Sequence, residues 1–375
     1  MRLSNRSPMQ LASIQAALEA YAPRCGVTRI ADVSRLDDLG IHVATATRIP
    51  RHRASISVAS GRGASITEAR CAAIAEAIER ACAEPDGRVA VRNASAAELD
   101  GAVLRLSALG VTDGEARCTA WCRGEGLSSG EPVWIPAAAV LYPWPAADVA
   151  FRPATHGLAA GTSRDDAATR GLLECVERDA YAHAVARLSV GCRPEAPPID
   201  VAGLAGPAAR WLATIAGRGR VLVRQLPSDT GVAVALCTLE IAGALGEPWW
   251  HGGCAAAFEL PEAVERAVGE ALQSRLVDIQ GAREDLSAER ERAHDWFIDP
   301  GGERSISADL GARGPSSLAA LTHAVVRLGL AEPALVDLSR DDAPLRVVRV
   351  VAPGLEVWAH DPTRIGERCR RWLAP

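Results

Sequence analysis

Three stretches of this chain repeat one pattern, and that repeat narrows the possible folds more than any other feature. In "TEARCAAIAEAIER", Glu68-Ala69 is followed after six residues by Glu76-x-x-Glu79-Arg80. In "DDAATRGLLECVERDA", Asp166-Ala167 precedes Glu174-x-x-Glu177-Arg178 at the same interval. In "PEAVERAVGEALQSR", Glu262-Ala263 precedes Glu270-x-x-Gln273, and Arg275 follows. The copies lie 98 and 96 residues apart. At helical spacing the three acids of a copy fall within roughly an 80° arc of one face. Glycine precedes each copy, in "SGRGAS", "GLAAGTS" and "HGGCAAA". The chain therefore reads as three units of about a hundred residues, each headed by an acidic helix.

Between these helices stand short β-like runs with turn punctuation: "HVATATRI", "EPVWIPAAAVL", "VLVRQLP", "VAVALCTLEIA" and "LRVVRVVAPG". The fold class expected is α/β, of the α+β kind. No Gly/Ser linker marks a boundary, so one large interleaved domain is expected over 25–375, with a helical lead-in over 1–24. The proline- and glycine-rich segment "CRPEAPPIDVAGLAGPAAR", 192–210, is the expected hinge or surface loop.

Hydrophobic residues make up 48% of the 375, enough for a sizeable core. A formal charge of −5, from 46 acidic and 41 basic residues, gives no reason to expect nucleic acid or an anionic membrane as partner. The chain has no lysine, which excludes a P-loop lysine and Schiff-base chemistry. There is no signal-peptide h-region and no apolar run long enough for a membrane span, so a cytoplasmic protein is expected. The ten cysteines form no CxxC pair and read as buried small side chains of a reducing compartment. Cys118 and Cys122 in "CTAWC" lack a second pair at zinc-finger spacing.

A single ExxER is ordinarily a solvated helix face with internal ion pairs. Three copies in register, each with an acid eight residues ahead of the pair, fit a shared cation cluster better. Magnesium takes oxygen ligands from a few carboxylates plus substrate phosphates and would relieve the like-charge repulsion. The arginines after the repeats, Arg80, Arg178 and Arg275, with Arg283 in "GAREDL", suit phosphate oxygens, although each alone also reads as a helix-end ion pair. "SGRG" has the composition of a phosphate loop but is too short to be specific.

These residues resemble the YcaO family of ATP-utilising peptide backbone-modifying enzymes. "SGRGASITEARCAAIAEAIER" is similar to its SxGKG segment and SxxxExxER helix, "HGLAAGTSRDDAATRGLLECVERDA" to its NGxAxG and GLxExxERDA run, and "ERAVGEALQSRLVDIQGARED" to its RAxxEAxQSR segment. With their intervals these motifs cover about residues 25 to 365. The resemblance implies the YcaO fold, with an ATP site unlike a P-loop and acidic helices holding magnesium on the triphosphate. It implies Glu76, Glu79, Glu174, Glu177 and Glu270 as metal ligands, Arg178, Arg275 and Gln273 as catalytic residues, and Arg62, Arg80, Asp166 and Arg283 as ATP-binding residues. The chain departs from the family pattern at Ala72 (serine), Arg62 (lysine), His156 (asparagine) and Asp166 (glutamate). Arg62 and Asp166 keep their charges. His156 reads as a hydrogen-bonded loop residue more readily than as an acid or base.

The activity implied is O-phosphorylation of a backbone amide in a ribosomally made precursor peptide, followed by attack on the amide carbon. External sulfide gives a thioamide, and a neighbouring cysteine, serine or threonine gives an azoline. Azoline-forming members usually end in a PxPxP-like tail, whereas this chain ends "RRWLAP". "GVTRIADVSRLDDLGIHV" and "DPTRIGERCRR" look like the subgroup that works with a TfuA partner, so thioamide formation is the expectation. An azoline-forming cyclodehydratase, a non-catalytic scaffold subunit and a metal-dependent phosphohydrolase are the alternatives. No segment reads as a leader-peptide module, so a partner protein is expected to deliver the substrate, and a homodimer stays open.

Overall fold

The computed structural model describes residues 7–51, 56–111, 118–144, 151, 153–243, 246–281, 295–308, 314–361 and 364–374. The chain lays down three units, each ending in one acidic helix. The first runs α1 (Pro8–Tyr21), β1 (Val27–Asp32), β2 (His42–Arg48), β3 (Ser57–Gly63) and α2 (Ile66–Cys82). The second runs β4 (Val91–Asn93), β5 (Ala102–Val103), β6 (Ala120–Gly126), β7 (Pro132–Pro136), α3 (Ala137–Val140), β8 (Leu158–Gly161) and α4 (Arg164–Ser189). The third runs β9 (Ile199–Asp200), α5 (Gly206–Ile215), β10 (Gly219–Leu226), β11 (Ala233–Ala242), β12 (Pro248–Ala257) and α6 (Leu260–Gln280). A closing segment adds β13 (Ile306–Ser307), α7 (Leu318–Arg327), β14 (Ala334–Asp337), β15 (Arg346–Val351) and α8 (Glu367–Leu373).

Strands β1-β2-β3 form one antiparallel sheet and β10-β11-β12 another. A seven-stranded sheet has the order β5-β7-β6-β14-β15-β8, with β4 also paired to β6. Its completion by β14 and β15 brings the C-terminal segment back onto the second unit, so the architecture is interleaved. Helix α1 is closed by a Ser7 capping box, buries Leu18 and joins α2 through Glu19 and Arg70 at 2.8 Å.

In each unit the acidic helix lies on the strand that leads into it, and α4 lies on β15 as well. The sequence prepares this contact with a stripe of small residues one, five and nine positions after the head of the repeat. These are Ala69, Ala73 and Ala77 in α2, Ala167, Gly171 and Cys175 in α4, and Ala263, Ala267 and Ala271 in α6, all buried. The strand yields too: a Cβ on Gly61 would stand 2.1 Å from the Ala73 nitrogen, and one on Gly253 would stand 2.2 Å from the Ala267 oxygen. Helix and strand backbones touch, which larger residues would prevent.

Each acidic helix also reaches the strand of the next unit. Helix α2 packs on β8, α4 on β12 and α6 on β3, which closes a ring of three. Three apolar clusters, one around each helix, form the core.

Two expectations need correction. Residues 192–210 are not simply a loop: Ile199–Asp200 pairs in parallel with β13, and α5 begins at Gly206 with Pro207 in its first turn. Buried Ala196, Ile199 and Ala208 anchor the segment, and proline at a helix start is compatible with the helix it opens. The run "EPVWIPAAAVL" is a strand only to Pro136 and then turns into α3.

Candidate active site at the ring of acidic helices

The ring of helices surrounds a cavity of about 810 Å³, lined by β3 and by the facing sides of α2, α4, α5 and α6. Its lining includes Arg62, Glu76, Asp166, Glu270 and Gln273, all five expected from the sequence. Ala72 also lines it, at the position where a serine was expected.

The carboxylates are positioned by backbone donors of the strands beneath them. The Ser60 N–H donates to Glu76 at 3.0 Å and the Gly157 N–H donates to Glu174 at 3.1 Å, each within its own unit. The Ala160 N–H donates to Glu79 at 2.6 Å across the boundary to the next unit. Gln273 crosses the boundary in the same sense, donating to the Ser60 hydroxyl at 2.6 Å while its Oε1 accepts from Arg62 at 2.6 Å. That double role explains glutamine in the third copy, because an ionised glutamate has no proton to donate.

Glu79 and Glu174 are half-buried, and Glu177 is buried. Burial pushes the Glu79 carboxyl up to about 7, with the charge of Glu76 adding to the effect. Burial also raises Glu174 and Glu177. Glu270 pushes both further up, while Arg178, at 3.6 and 3.5 Å from them, opposes the rise. Clustered acids that hold protons above their usual range are short of positive charge.

Arg62 reaches the third unit, donating to the Arg266 carbonyl at 2.9 Å and lying 3.8 Å from Glu270. "SGRG" is therefore the end of strand β3 rather than a loop. Arg80 pairs with Glu76 at 2.6 Å, and Arg178 spans from the α4 acids to His360, at 3.1 Å from its Nε2. Asp166 accepts the Thr162 N–H at 3.0 Å and pairs with Arg170 at 3.0 Å, so it closes the start of α4 as well as lining the cavity. Glu68 does the same for α2, accepting the Ala64 N–H at 3.0 Å.

Arg275 is not gathered with the others. Its Nε donates to Asp37 at 2.5 Å, and its guanidinium lies 5.3 Å from the Trp249 ring centre, so it is a buried structural ion pair rather than a residue of the cavity lining. Two positions beyond Gln273, it is rotated about 200° around α6, onto the opposite side. Arg283 lies outside the described residues. His156 is half-buried, and burial pushes its imidazole down to about 2, with the Arg178 charge adding to the effect.

Arg170 and Arg266 line the cavity and were not singled out from the sequence. Both lie four residues after the head of their repeat, the place Ala72 takes in the first copy, so reading that column of the repeat exposes them. The apolar part of the lining, Trp211, Leu173, Pro207 and Phe258, was also missed; of these only Pro207 lies in the segment expected to be a loop, and Trp211 follows it directly on α5.

The chain belongs to the YcaO cyclodehydratase family, described as ATP- and Mg2+-binding, which it matches over residues 60–356. An uncharacterized protein of Methanothermobacter thermautotrophicus is 34% identical, over 92% of this chain and 94% of its own length. An uncharacterized protein in the tfuA 3' region of Rhizobium leguminosarum bv. trifolii is 28% identical, over 91% of this chain and 86% of its own. Among solved structures, YcaO from Methanopyrus kandleri bound with AMPPCP and Mg2+ superposes with a TM-score of 0.78 at 26% identity, covering 96% of this chain and 93% of that one. Among the described residues, no helix is long and apolar enough to cross a membrane.

Proposed function

We propose that this chain uses ATP and Mg2+ to activate a backbone amide of a ribosomally made peptide, and that the product is a thioamide. The observation that carries the ATP-dependent step is the cavity itself. It sets Glu76, Asp166 and Glu270 beside three arginines, Arg62, Arg170 and Arg266, and two of these, Arg62 and Arg170, interact with Glu177 and Glu79, acids outside the lining whose proton affinity burial raises. About 810 Å³ is room for a nucleotide.

The donor set fits magnesium. All the candidate ligands are carboxylate oxygens, and a cation would offset the burial and the neighbouring charges that raise the Glu79 and Glu177 carboxyls. Among the described residues, no three His, Cys, Asp or Glu side chains converge on one metal position. Magnesium held by one or two carboxylates, with phosphate oxygens and water completing the shell, needs no such cage. Glu76, Glu79, Glu174, Glu177 and Glu270 would hold it, and bound Mg-ATP supplies the phosphoryl group that turns an amide oxygen into a leaving group.

Arg62, fixed to Gln273 and to the Arg266 carbonyl, orients phosphate oxygens from β3, with Arg170 and Arg266 facing it from the other two helices. Arg178 is held beside Glu174 and Glu177, where a guanidinium stabilises charge gathering on the transferred group. Trp211, Leu173, Pro207 and Phe258 add apolar surface to the lining, suited to the non-polar faces of a bound ligand. A delivering partner of the TfuA kind is part of the same reading.

Thioamide over azoline rests on the TfuA-like segments "TRIADVSRLDDLGI" and "DPTRIGERCRR" and on the Rhizobium relative from a tfuA region. The family's description as cyclodehydratase favours the second reading, azoline formation. Mass spectrometry of a co-expressed precursor peptide separates them. Exchange of oxygen for sulfur adds about 16 Da and loss of water subtracts about 18 Da, by atomic arithmetic on activation of the same amide. A water loss that requires a neighbouring cysteine, serine or threonine overturns thioamidation. A peptide unchanged in the presence of ATP and partner overturns the peptide-modifying reading.

A further inference from the structure

Of the arginines that follow the repeats, Arg178 makes the loosest contact with its acids. Its Nη2 lies 3.6 Å from Glu174 and 3.5 Å from Glu177. A guanidinium normally bonds a carboxylate at about 2.7–2.9 Å, and Arg80 closes on Glu76 to 2.6 Å. The other nitrogen, Nη1, points away from the acids and lies 3.1 Å from His360 Nε2, the one hydrogen bond of this side chain among the described residues. An arginine can only donate, so Nε2 is the acceptor and needs a free lone pair. Burial first and the Arg178 charge second push the His360 imidazole down to about 4, in keeping with a neutral ring. On the other side, Glu177 accepts no hydrogen bond among the described residues, and Arg178 is its ion-pair partner.

His360 is itself fixed by α4 and by a turn. Its ring stacks on Tyr181, three residues after Arg178 in the helix, with centres 5.5 Å apart and planes 22° apart. Its backbone N–H donates to the Val357 carbonyl at 2.9 Å. Asp179, next after Arg178, secures the same segment on both sides of His360. It accepts the Glu356 N–H at 2.8 Å and pairs with Arg368 at 2.7 Å, while the Glu356 carboxylate accepts the Gly366 and Cys369 N–H groups at 3.0 and 2.9 Å. The acceptor therefore reaches Arg178 on a braced segment, and it stands beyond residue 356, where the family match ends.

We propose that His360 is a positioning residue: it holds Arg178 back from Glu174 and Glu177 and so leaves these carboxylates open to a divalent cation. A guanidinium without that second anchor would close on the two acids and occupy their oxygens with its own N–H groups. A neutral acceptor holds the far nitrogen without adding a charge to the ring. The inference rests on the reading of the acid ring as a metal and nucleotide site, and it adds the closing segment of the chain to that site.

The test reads cation binding and the position of Arg178 rather than turnover. The purified full-length protein is titrated with Mn2+, a paramagnetic stand-in for Mg2+, in the presence of AMPPCP, with free Mn2+ followed by electron paramagnetic resonance. Crystals are grown without metal or nucleotide. His360→Phe keeps a ring on Tyr181 but removes the acceptor. It should weaken Mn2+ binding by about tenfold, the loss of one hydrogen bond to a charged group, and bring Arg178 to within about 3.0 Å of Glu174 or Glu177 in the metal-free crystal. His360→Gln, which sets an amide oxygen near the place of Nε2, should bind Mn2+ within about twofold of the parent. Removing the guanidinium as well, in His360→Phe with Arg178→Met, should recover binding relative to His360→Phe alone, an outcome that a merely structural role for His360 does not produce. His360→Met, whose thioether is a weak acceptor, takes the place of His360→Phe if that variant does not fold. Parental Mn2+ binding by the acceptor-free variant, or no recovery on removal of Arg178, overturns the inference and leaves the metal reading standing. No Mn2+ binding by the parent overturns that reading and the inference with it.

Discussion

Two adjacent residues of α4 face opposite electrostatic surroundings. Glu174 belongs to the acid ring, where burial first and neighbouring carboxylates second raise the proton affinity of the acids. Cys175 faces a small chamber with Arg349 and Arg364 in its wall. One side of the helix gathers carboxylates and the other gathers guanidinium groups, and Glu174 and Arg349 each stabilise the other's charge. A turn of 100° per residue is enough to separate the two, with helix backbone and apolar packing between them. Buried, clustered carboxylates are costly in an empty protein and are what a bound cation relieves, so ligand binding at the acid ring should be read as stabilisation as well as chemistry.

The largest expected effect comes from the acid side. Glu177→Gln should lower ATP turnover by about a hundredfold or more while leaving the melting temperature of the ligand-free protein equal or higher, because removing one of several crowded charges costs the empty fold nothing. A variant that hydrolyses ATP at the parental rate removes Glu177 from the site. Arg62→Lys should follow, with turnover down by about 10- to 100-fold. Lysine keeps the charge but cannot hold Gln273 and the Arg266 carbonyl at once. Steady-state kinetics with and without peptide check this.

A smaller effect distinguishes the acid ring by pH. The Glu79 carboxyl is raised from 4.5 to about 7 in the folded protein, so the unfolded chain gives up that proton first. Stability from this group is present in full below about pH 4.5 and declines as pH rises towards 7. The magnesium-free protein should therefore melt a few degrees lower at pH 8 than at pH 6, and Mg-ATP should flatten the difference. A melting temperature that rises with pH in magnesium-free buffer, unchanged by Glu79→Gln, would contradict the crowded-acid account. The smallest catalytic effect is expected at Arg275→Lys. Losing its contacts with Asp37 and Trp249 should cost about 1–3 kcal/mol of stability in denaturant titrations, with ATP turnover within about twofold of the parent.

The sequence by itself determined the three acidic helices, their common register, the glycines before them and the strand-helix alternation, because helical and strand periodicities are local and the repeat made them visible three times. It also placed Glu76, Glu270, Gln273, Arg62 and Asp166 in one site, and the structure gathers them around one cavity. What it left undecided depends on which elements touch. Arg80, Arg178 and Arg275 follow their repeats with the same residue type, yet Arg80 and Arg178 pair with the acids while Arg275 turns to Asp37 from the first unit. Residues 192–210 read as a loop because proline and glycine are loop residues, until α5 found an apolar surface on α6 and set Trp211 into the cavity wall. The cross-unit bonds from Ala160 to Glu79 and from Gln273 to Ser60, and those from Arg349 to the Ala139 and Ala154 carbonyls, join residues far apart in the chain. Only the tertiary packing decides them, since local propensity carries no information about partners about eighty or more residues away.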